Sequence, residues 1–410
     1  MDEKAYPVAG IPVFQHDPYA DEVMANPYPY YETMRSAGPL SWIDRYGVYV
    51  STHDAIVRPS VADWRRFSSA QGIGPLKKKA VNELKQGATR MPASGLLEYD
   101  PPEHGPGRKV LMSLLSNRAL EELKHAFSIS AEVLVEEMIQ RGTVDAVSEL
   151  VKRYVLKVMG DAVGLPDQGR NQLLVFGELA MNVPGPVNER YNRALARVQA
   201  EGTLEWVRKM SARDALAPDG FGAQLYAFAD AGEIDAEEAG GLVGVFLIAA
   251  VDSTILTLIN GIHALASRPA QWRLLHSDPS QARQSFEEIL RYCTAPQTLF
   301  RTTTCEVDIA GYRIPAGQKV GLSLAAANRD PARWQDPDRF DIARKPVGHM
   351  AFGGGVHACV GQMVARLEAE CLLSAMARRI AKLELAGEVV PFANNAMSSY
   401  SRVPVTVTAA

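Results

Sequence analysis

Apolar positions recur at helical spacing through much of the chain. Leu120, Leu123, Phe127, Leu134 and Met138 share one face of a 3.6-residue period, and Gly142 stands where such a helix should stop. A second helical pattern runs from about Glu189 to Met210, after the breaker-rich segment Val183-Pro184-Gly185-Pro186-Val187-Asn188. Residues 236–268 read as one long helix, apolar on nearly every side and therefore buried. Another helix is predicted over 281–292. Residues 1–40, with the Pro- and Tyr-rich run Asn26-Pro27-Tyr28-Pro29-Tyr30-Tyr31, predict an extended arm before the first helix. Strand signals come late: 307–324 alternates around Pro315-Ala316-Gly317-Gln318, and Arg402-Val403-Pro404-Val405-Thr406-Val407 closes the chain. The pattern predicts a mainly α protein with small β-sheets. No repeat, low-complexity tract or linker of distinct composition divides it, so residues 1–410 are expected to form a single domain.

Composition narrows the function. Hydrophobic residues are 47% and charged residues 22% of the 410, ample for a large core and unlike a disordered chain. Lys+Arg 43 against Asp+Glu 47 leaves a net charge of −4, which argues against a nucleic-acid-binding footprint. The first residues hold no apolar run, and Leu242–Val251 is shorter than the roughly 20 residues of a membrane span, so a cytoplasmic location and no membrane are expected. Cys293, Cys305, Cys359 and Cys371 form no CxxC pair and suggest no disulfide framework.

The most informative segment is Phe352-Gly353-Gly354-Gly355-Val356-His357-Ala358-Cys359-Val360-Gly361. Glycines let a loop approach a flat cofactor closely, and a thiolate accepting backbone N–H bonds there can hold a metal. The helix predicted after it would aim its positive end at that thiolate. Taken alone, a buried unreactive cysteine is as good a reading.

The segment resembles the haem-ligand loop of the cytochrome P-450 family, FGxGxHxCxG. Other family markers follow in order. Glu288-Ile289-Leu290-Arg291 is similar to the ExxR motif, a structural pair in the family. Asn328-Arg329-Asp330-Pro331, Trp334 and Asp336-Pro337-Asp338-Arg339-Phe340 resemble the stretch that completes its network. The resemblance covers nearly the whole chain. It implies a cytochrome P-450 fold, with haem b between a long distal helix and a proximal Cys loop and helix. Cys359 would be the iron ligand, with Phe352 and His357 beside it and His104, Arg108, Arg301 and His349 facing the haem propionates.

Ala249-Ala250-Val251-Asp252-Ser253-Thr254 interrupts the apolar helix with an acid and hydroxyls. By itself this is a Ser bonded back to a carbonyl and an Asp with a basic neighbour. It also resembles the family's oxygen-activation motif, with Asp252 and Ser253 as the proton-relaying pair. Ala250 stands for the usual Gly and Ser253 for the usual Thr, which predicts some loss of reducing equivalents as hydrogen peroxide.

No GxGxxG loop or iron–sulfur cysteine spacing occurs, so electrons should come from a separate ferredoxin and its NAD(P)H-dependent reductase. A basic patch including Lys109 and Arg366 is expected to receive the ferredoxin. Lys77-Lys78-Lys79 is expected to be a solvated run. Within the family the chain looks most like bacterial enzymes that oxidise para-substituted benzoates, often removing the methyl of a methoxy group. By that resemblance Arg90 and Ser94 would hold a carboxylate, and Leu97, Met181, Pro184, Val245, Ala249 and Leu299 would line the substrate pocket. Gly244-Val245 replaces a polar pair, and Met181, Pro184 and Leu299 replace phenylalanines. A bulkier ring, or a neutral methoxyphenol, therefore also fits. The expectation is O2-dependent oxidation of a small aromatic substrate, by O-demethylation or, alternatively, by hydroxylation. A peroxide-driven enzyme, a haem sensor without turnover and an all-α structural protein are the rival readings.

Overall fold

The computed structural model describes residues 6–76 and 94–410, apart from the side chains of Ser94 and Gly95. Its longest helix, Asn117–Arg141, begins where Ser116 accepts from the Ala119 N–H at 3.2 Å and ends at Gly142, whose φ of +72° favours glycine. Such an N-cap contributes about 1 kcal/mol. This helix packs along Gln362–Arg379, the helix that follows the Cys359 loop. Between them and around them runs one contiguous hydrophobic cluster drawing on residues from Val110 to Val407, including Phe127, Tyr154, Ile255, Ile259, Leu372 and Met376.

Three local expectations change. The Tyr-rich run is a helix rather than an extended arm: Tyr28–Ala37 starts after Pro27 and carries Pro29 in its first turn, where a missing N–H costs nothing. The 189–210 pattern is two helices, Glu189–Ala200 and Thr203–Met210, broken at Gly202 with φ +65°. The buried 236–268 pattern is likewise two, Ala236–Ala249 and Asp252–Ala266. At that break Ser253 Oγ donates to the Ala249 carbonyl at 2.6 Å, and Thr257 Oγ1 donates to the Ser253 carbonyl at 2.8 Å. Side-chain bonds of this kind compete with the helix ladder and bend it. The apolar run continues past Asp252, so Ala236–Ala266 is long and apolar enough by composition to cross a membrane. However, 78% of its most apolar window is buried inside the protein, as in a core helix.

Strands also begin earlier than expected. A six-stranded sheet takes its members from both ends of the chain, in the order Val13–Phe14, Ser41–Ile43, Val48–Ser51, Lys319–Ser323, Thr298–Thr303 and Phe67–Ser68. Arg301 pairs with Val320 and Tyr49 with Val320 across it. The expected late strands are present as Val307–Ile309, Tyr312–Ile314 and Pro404–Ala409. The early strands have only two to four residues each, too few to show a period of two.

Candidate functional site

The Cys359 loop is held by backbone geometry. Gly353 and Gly355 have φ of +66° and +63°, and a Cβ on Gly355 would sit 2.7 Å from Ala62 Cα, so glycine lets the loop lie on helix Asp54–Ala62. The Cys359 N–H donates to the Phe352 carbonyl at 2.9 Å. Burial raises the thiol's pKa, while backbone N–H groups of Gly361 and Gln362 and the charges of Arg108 and Arg366 oppose that rise. The other cysteines have different surroundings. Cys371 lies inside helix Gln362–Arg379, bonded to Ser128 Oγ at 3.3 Å and the Lys124 carbonyl. Cys305 is exposed, and Cys293 lines a separate cleft.

Glu288 and Arg291 are both 0% exposed and joined by two 2.8 Å hydrogen bonds, so they are a core pair and not a solvated one. Arg291 also donates to the carbonyls of Asn328, Pro337 and Arg339, at 3.0, 2.8 and 3.1 Å. Glu288 accepts from the Asp341 N–H at 3.0 Å. The predicted 328–340 stretch thus completes the network through its backbone. Asn328 Oδ1 in turn accepts from the Met350 N–H at 2.6 Å, which carries the network into the approach to the Cys359 loop.

Four of the predicted cationic or ring donors converge. His104 meets His357 edge-on with ring centroids 4.6 Å apart, His357 Nε2 lies 3.5 Å from Asp100, and Arg301 and Asp100 act on each other electrostatically. Burial, then Arg301 and His104, press the His357 pKa down to about 4, and burial lowers Arg301 to about 10. Arg108 faces both His104 and Cys359. His357 Nε2 is buried without a hydrogen-bond partner. This crowding of donors suits a dianionic edge such as a pair of propionates. His349 does not join it. Its Nε2 pairs with Glu287 at 2.9 Å and its Nδ1 accepts from the Ala351 N–H at 3.3 Å. Arg366 grips the same Glu287 at 2.6 and 3.2 Å and covers Phe352 at 4.7 Å. Burial would raise Glu287, but the bonds from His349 and Arg366 overcome it and hold the pKa at about 2.

On the other wall, Val245, Ala249, Ala250 and Ser253 form an accessible stripe between buried neighbours across the helix break. Asp252 is 8% exposed, and burial followed by Glu178 raises its pKa to about 7, with Lys152 opposing. It fits there because residue 177 is glycine: a Cβ would stand 2.9 Å from Asp252 Cβ. Two residues on, Thr254 bonds the fully buried Glu368, whose pKa burial pushes well up. Gly177, Glu178, Asp100, Glu287 and Glu368 were not singled out from sequence. Only Glu368, an acid on an apolar helix face, left any local signal.

Among the substrate residues, a Cβ on Gly74 would meet the Pro184 backbone, and the Phe300 N–H donates to the Ile73 carbonyl at 3.0 Å. Segment 73–74 therefore brings Pro184 and the strand holding Leu299 together. Met181 packs on the main core from helix Gln172–Asn182, beside the Asp252 helix. Leu97 is 48% exposed while Leu96 packs against the core. Ser94 opens the short helix Ser94–Glu98. Arg90 and Lys77-Lys78-Lys79 lie outside the described residues. Of the expected ferredoxin patch, Lys109 pairs with Glu233 at 3.2 Å and Arg366 is committed to Glu287, so neither offers a free charge.

A cysteine loop on glycines, a buried ExxR pair and an acid and hydroxyl at a broken distal helix define a haem-thiolate oxygenase. The chain belongs to the cytochrome P450 family, whose model matches residues 167–381. It is 41% identical over 403 residues to cytochrome P450 CYP199A2 of Rhodopseudomonas palustris, covering 98% of this chain and 96% of that protein. Among solved structures, CYP109Q5 of Chondromyces apiculatus superposes with a TM-score of 0.78 at 27% identity, over 95% of this chain and 97% of that one. CalO2 superposes with a TM-score of 0.83 at 24% identity, over 96% and 99%. The protein is an oxygen-dependent monooxygenase of bacterial P450 type that uses haem held by a cysteine thiolate and draws electrons from redox partners.

Proposed function

We propose that the chain, as one 410-residue domain in the cytoplasm, removes the methyl of a methoxy-substituted aromatic acid or phenol, with Cys359 as the thiolate. What supports the site assignment is the grouping of Arg108 with Cys359 and of His104 and Arg301 with His357, with the Asp252 segment read as the wall opposite. The aromatic assignment rests on the sequence likeness and on the small pocket residues Met181, Pro184, Val245 and Leu299. Haem held by Cys359, with His104, Arg108 and Arg301 at its edge, would supply O2 activation and the transfer of one oxygen atom to the methyl carbon. The balanced change is ArOCH3 + O2 + 2 electrons + 2 protons giving ArOH, formaldehyde and water, through a hemiacetal whose C–O bond breaks.

The chain's own groups do the rest. Gly361 and Gln362 N–H groups and the charges of Arg108 and Arg366 stabilise negative charge on Cys359. Asp252, titrating near neutrality, holds or passes a proton, and Ser253 Oγ carries it at the mouth of the stripe. In the resting geometry Ser253 donates to Ala249, so it must swing from that carbonyl to act. Met181, Pro184 and Leu299 exclude water from the ring without clamping it. A ferredoxin docks at the outer face of the Cys359 loop, where the exposed Arg65 and its partner ring Trp64 follow the helix beneath Gly355.

The test is a Soret titration of the ferric holoenzyme with matched methoxybenzoates and methoxyphenols, followed by formaldehyde and phenol assay. A high-spin shift with stoichiometric formaldehyde supports the reading. No shift with either series overturns the aromatic assignment, and a shift with neutral phenols alone removes the carboxylate role of Arg90 and Ser94.

A further inference from the structure

A cleft of about 910 Å3 lies away from every residue predicted for the haem or substrate site. It opens between helix Tyr28–Ala37, the end of helix Asp252–Ala266, the segment after Arg291 and strand Ser398–Arg402. Its size falls within the range of small-molecule sites.

Its lining is aromatic and, among the described residues, carries one unmatched cation. His263 lies against Tyr400 with centroids 4.2 Å apart. Tyr28 and Tyr292 sandwich Arg329 at 3.8 and 3.7 Å. Burial, then Arg268, hold the His263 pKa at about 4, so that ring is neutral at pH 7. Arg329 is paired with Asp338 at 2.9 Å, and Arg35 with Glu32. Arg268 is different. It donates to the Ala264 carbonyl at 3.1 Å and to Tyr292 Oη at 3.0 Å, and no carboxylate among the described residues lies within ion-pair distance. Two of its five N–H donors are thereby used. A guanidinium beside aromatic faces, weakly hydrated and with donors to spare, is a carboxylate receptor.

A second feature points to the other end of a ligand. Asn260, 7% exposed, lines the cleft and gives its Nδ2 hydrogens to the Cys293 and Ser398 carbonyls, at 3.2 and 3.0 Å. Its Oδ1 is buried with no partner, a cost that a ligand donor would relieve. Asn260 and Arg268 thus line the same cleft from the end of helix Asp252–Ala266 and the turn just beyond it, the one offering an acceptor and the other donors.

We propose that this cleft binds a hydroxylated aromatic carboxylate. The carboxylate lies on Arg268, the ring lies against the Tyr292, His263 and Tyr400 faces, and the hydroxyl donates to Asn260 Oδ1. The segment that carries Tyr292 and Cys293 directly follows Arg291, and Arg329 follows Asn328, so an occupied cleft braces the back of the buried Glu288–Arg291 network. If demethylation of a methoxybenzoate is the reaction, which this last point rests on, the ligand belongs to the class of the enzyme's own product.

The experiment is calorimetric titration of the ferric holoenzyme with its haem iron capped by 4-phenylimidazole. The probes are 4-hydroxybenzoate, benzoate and 4-hydroxybenzyl alcohol. The proposal expects one equivalent of 4-hydroxybenzoate to bind, benzoate several-fold more weakly, and the neutral alcohol about tenfold more weakly. Arg268→Gln should erase the preference for acid over alcohol. Asp338→Asn, at a side chain 77% exposed, should tighten the acid several-fold by releasing Arg329. The proposal is overturned by no binding of 4-hydroxybenzoate under the cap, by equal affinity for acid and alcohol, or by an Arg268→Gln protein that discriminates as before. Should that variant not fold, the acid–alcohol ratio and Asp338→Asn decide. Failure of methoxybenzoates to shift the Soret band leaves this titration unaffected, so the two readings fail separately.

Discussion

The cysteine side and the Asp252 side of the proposed cofactor site differ in how completely their polar groups are satisfied. On the cysteine side, Glu288 and Arg291 are fully buried and tied to each other and to four backbone groups, and Glu287 saturates both His349 and Arg366. On the opposite side, Asp252 is buried with its pKa raised to about 7, and among the described residues Ser253 Oγ bonds only back across the helix break to Ala249. The first arrangement fixes a position, because every alternative leaves a buried charge unpaired. The second leaves a proton free to move near neutral pH, because neither charge state of the acid is locked. One wall holds and the other titrates.

The largest expected effect breaks the holding wall. Arg291→Ala leaves the Glu288 carboxylate buried and three carbonyls without their donor, at a cost of about 3–5 kcal/mol. It should yield protein without a Soret band. Arg291→Lys should not rescue it, since one ammonium cannot reproduce the fork. Normal haem content in either variant would show the network to be dispensable. Next, Cys359→Ser should abolish the thiolate signature in the reduced carbon monoxide spectrum, while Cys371→Ser, deep in its helix, should retain it. The reverse result would move the ligand.

Smaller effects test the titrating wall. Gly177→Ala puts a methyl 2.9 Å from Asp252 Cβ and should shift that carboxyl. The expected outcome is about tenfold slower product formation, near 1.4 kcal/mol in barrier, with peroxide rising in its place. The pH response has a definite sign. Burial raises Asp252 above the usual value of 3.8, so between about pH 4 and 7 the native state binds the extra proton. The stability this contributes is full below the unfolded pKa and is lost as pH rises through about 7. Asp252→Asn should flatten that slope in denaturant titrations and remove the apparent pKa near 7 from the coupling profile. An unchanged slope would place the titration elsewhere. Finally, Ser253→Ala should raise peroxide per NADH by a few-fold, and Ser253→Thr should lower it below the natural enzyme, because a β-branched side chain has fewer rotamers to sample. Equal coupling in all three would deny the hydroxyl a role.

Legibility in sequence followed the range of each interaction. The Asn117–Arg141 and Ala282–Tyr292 helices were readable because their burial repeats every turn. The helix break at Ala250–Val251 was not, since a single apolar run covers both halves and the bonds from Ser253 to Ala249 and from Thr257 to Ser253 mark it only in three dimensions. His349 was placed by its position near Cys359, yet its partner Glu287 lies 62 residues away and leaves no mark on local pattern. Lys109 and Arg366 looked free because nothing in their neighbourhood names Glu233 or Glu287.

By itself, the sequence determined the cysteine on its glycine loop, the acid and hydroxyl in an apolar helix, and the mainly helical class. Those are local facts: residue types at fixed spacing, or a period repeated over many turns. Only the tertiary structure decided which charges are satisfied, that Gly177 makes room for Asp252, and that the short early strands join the late ones in one sheet. Each of these depends on groups far apart in the chain meeting in a dry interior, where pairing and desolvation set the energies and no local spacing encodes the partner.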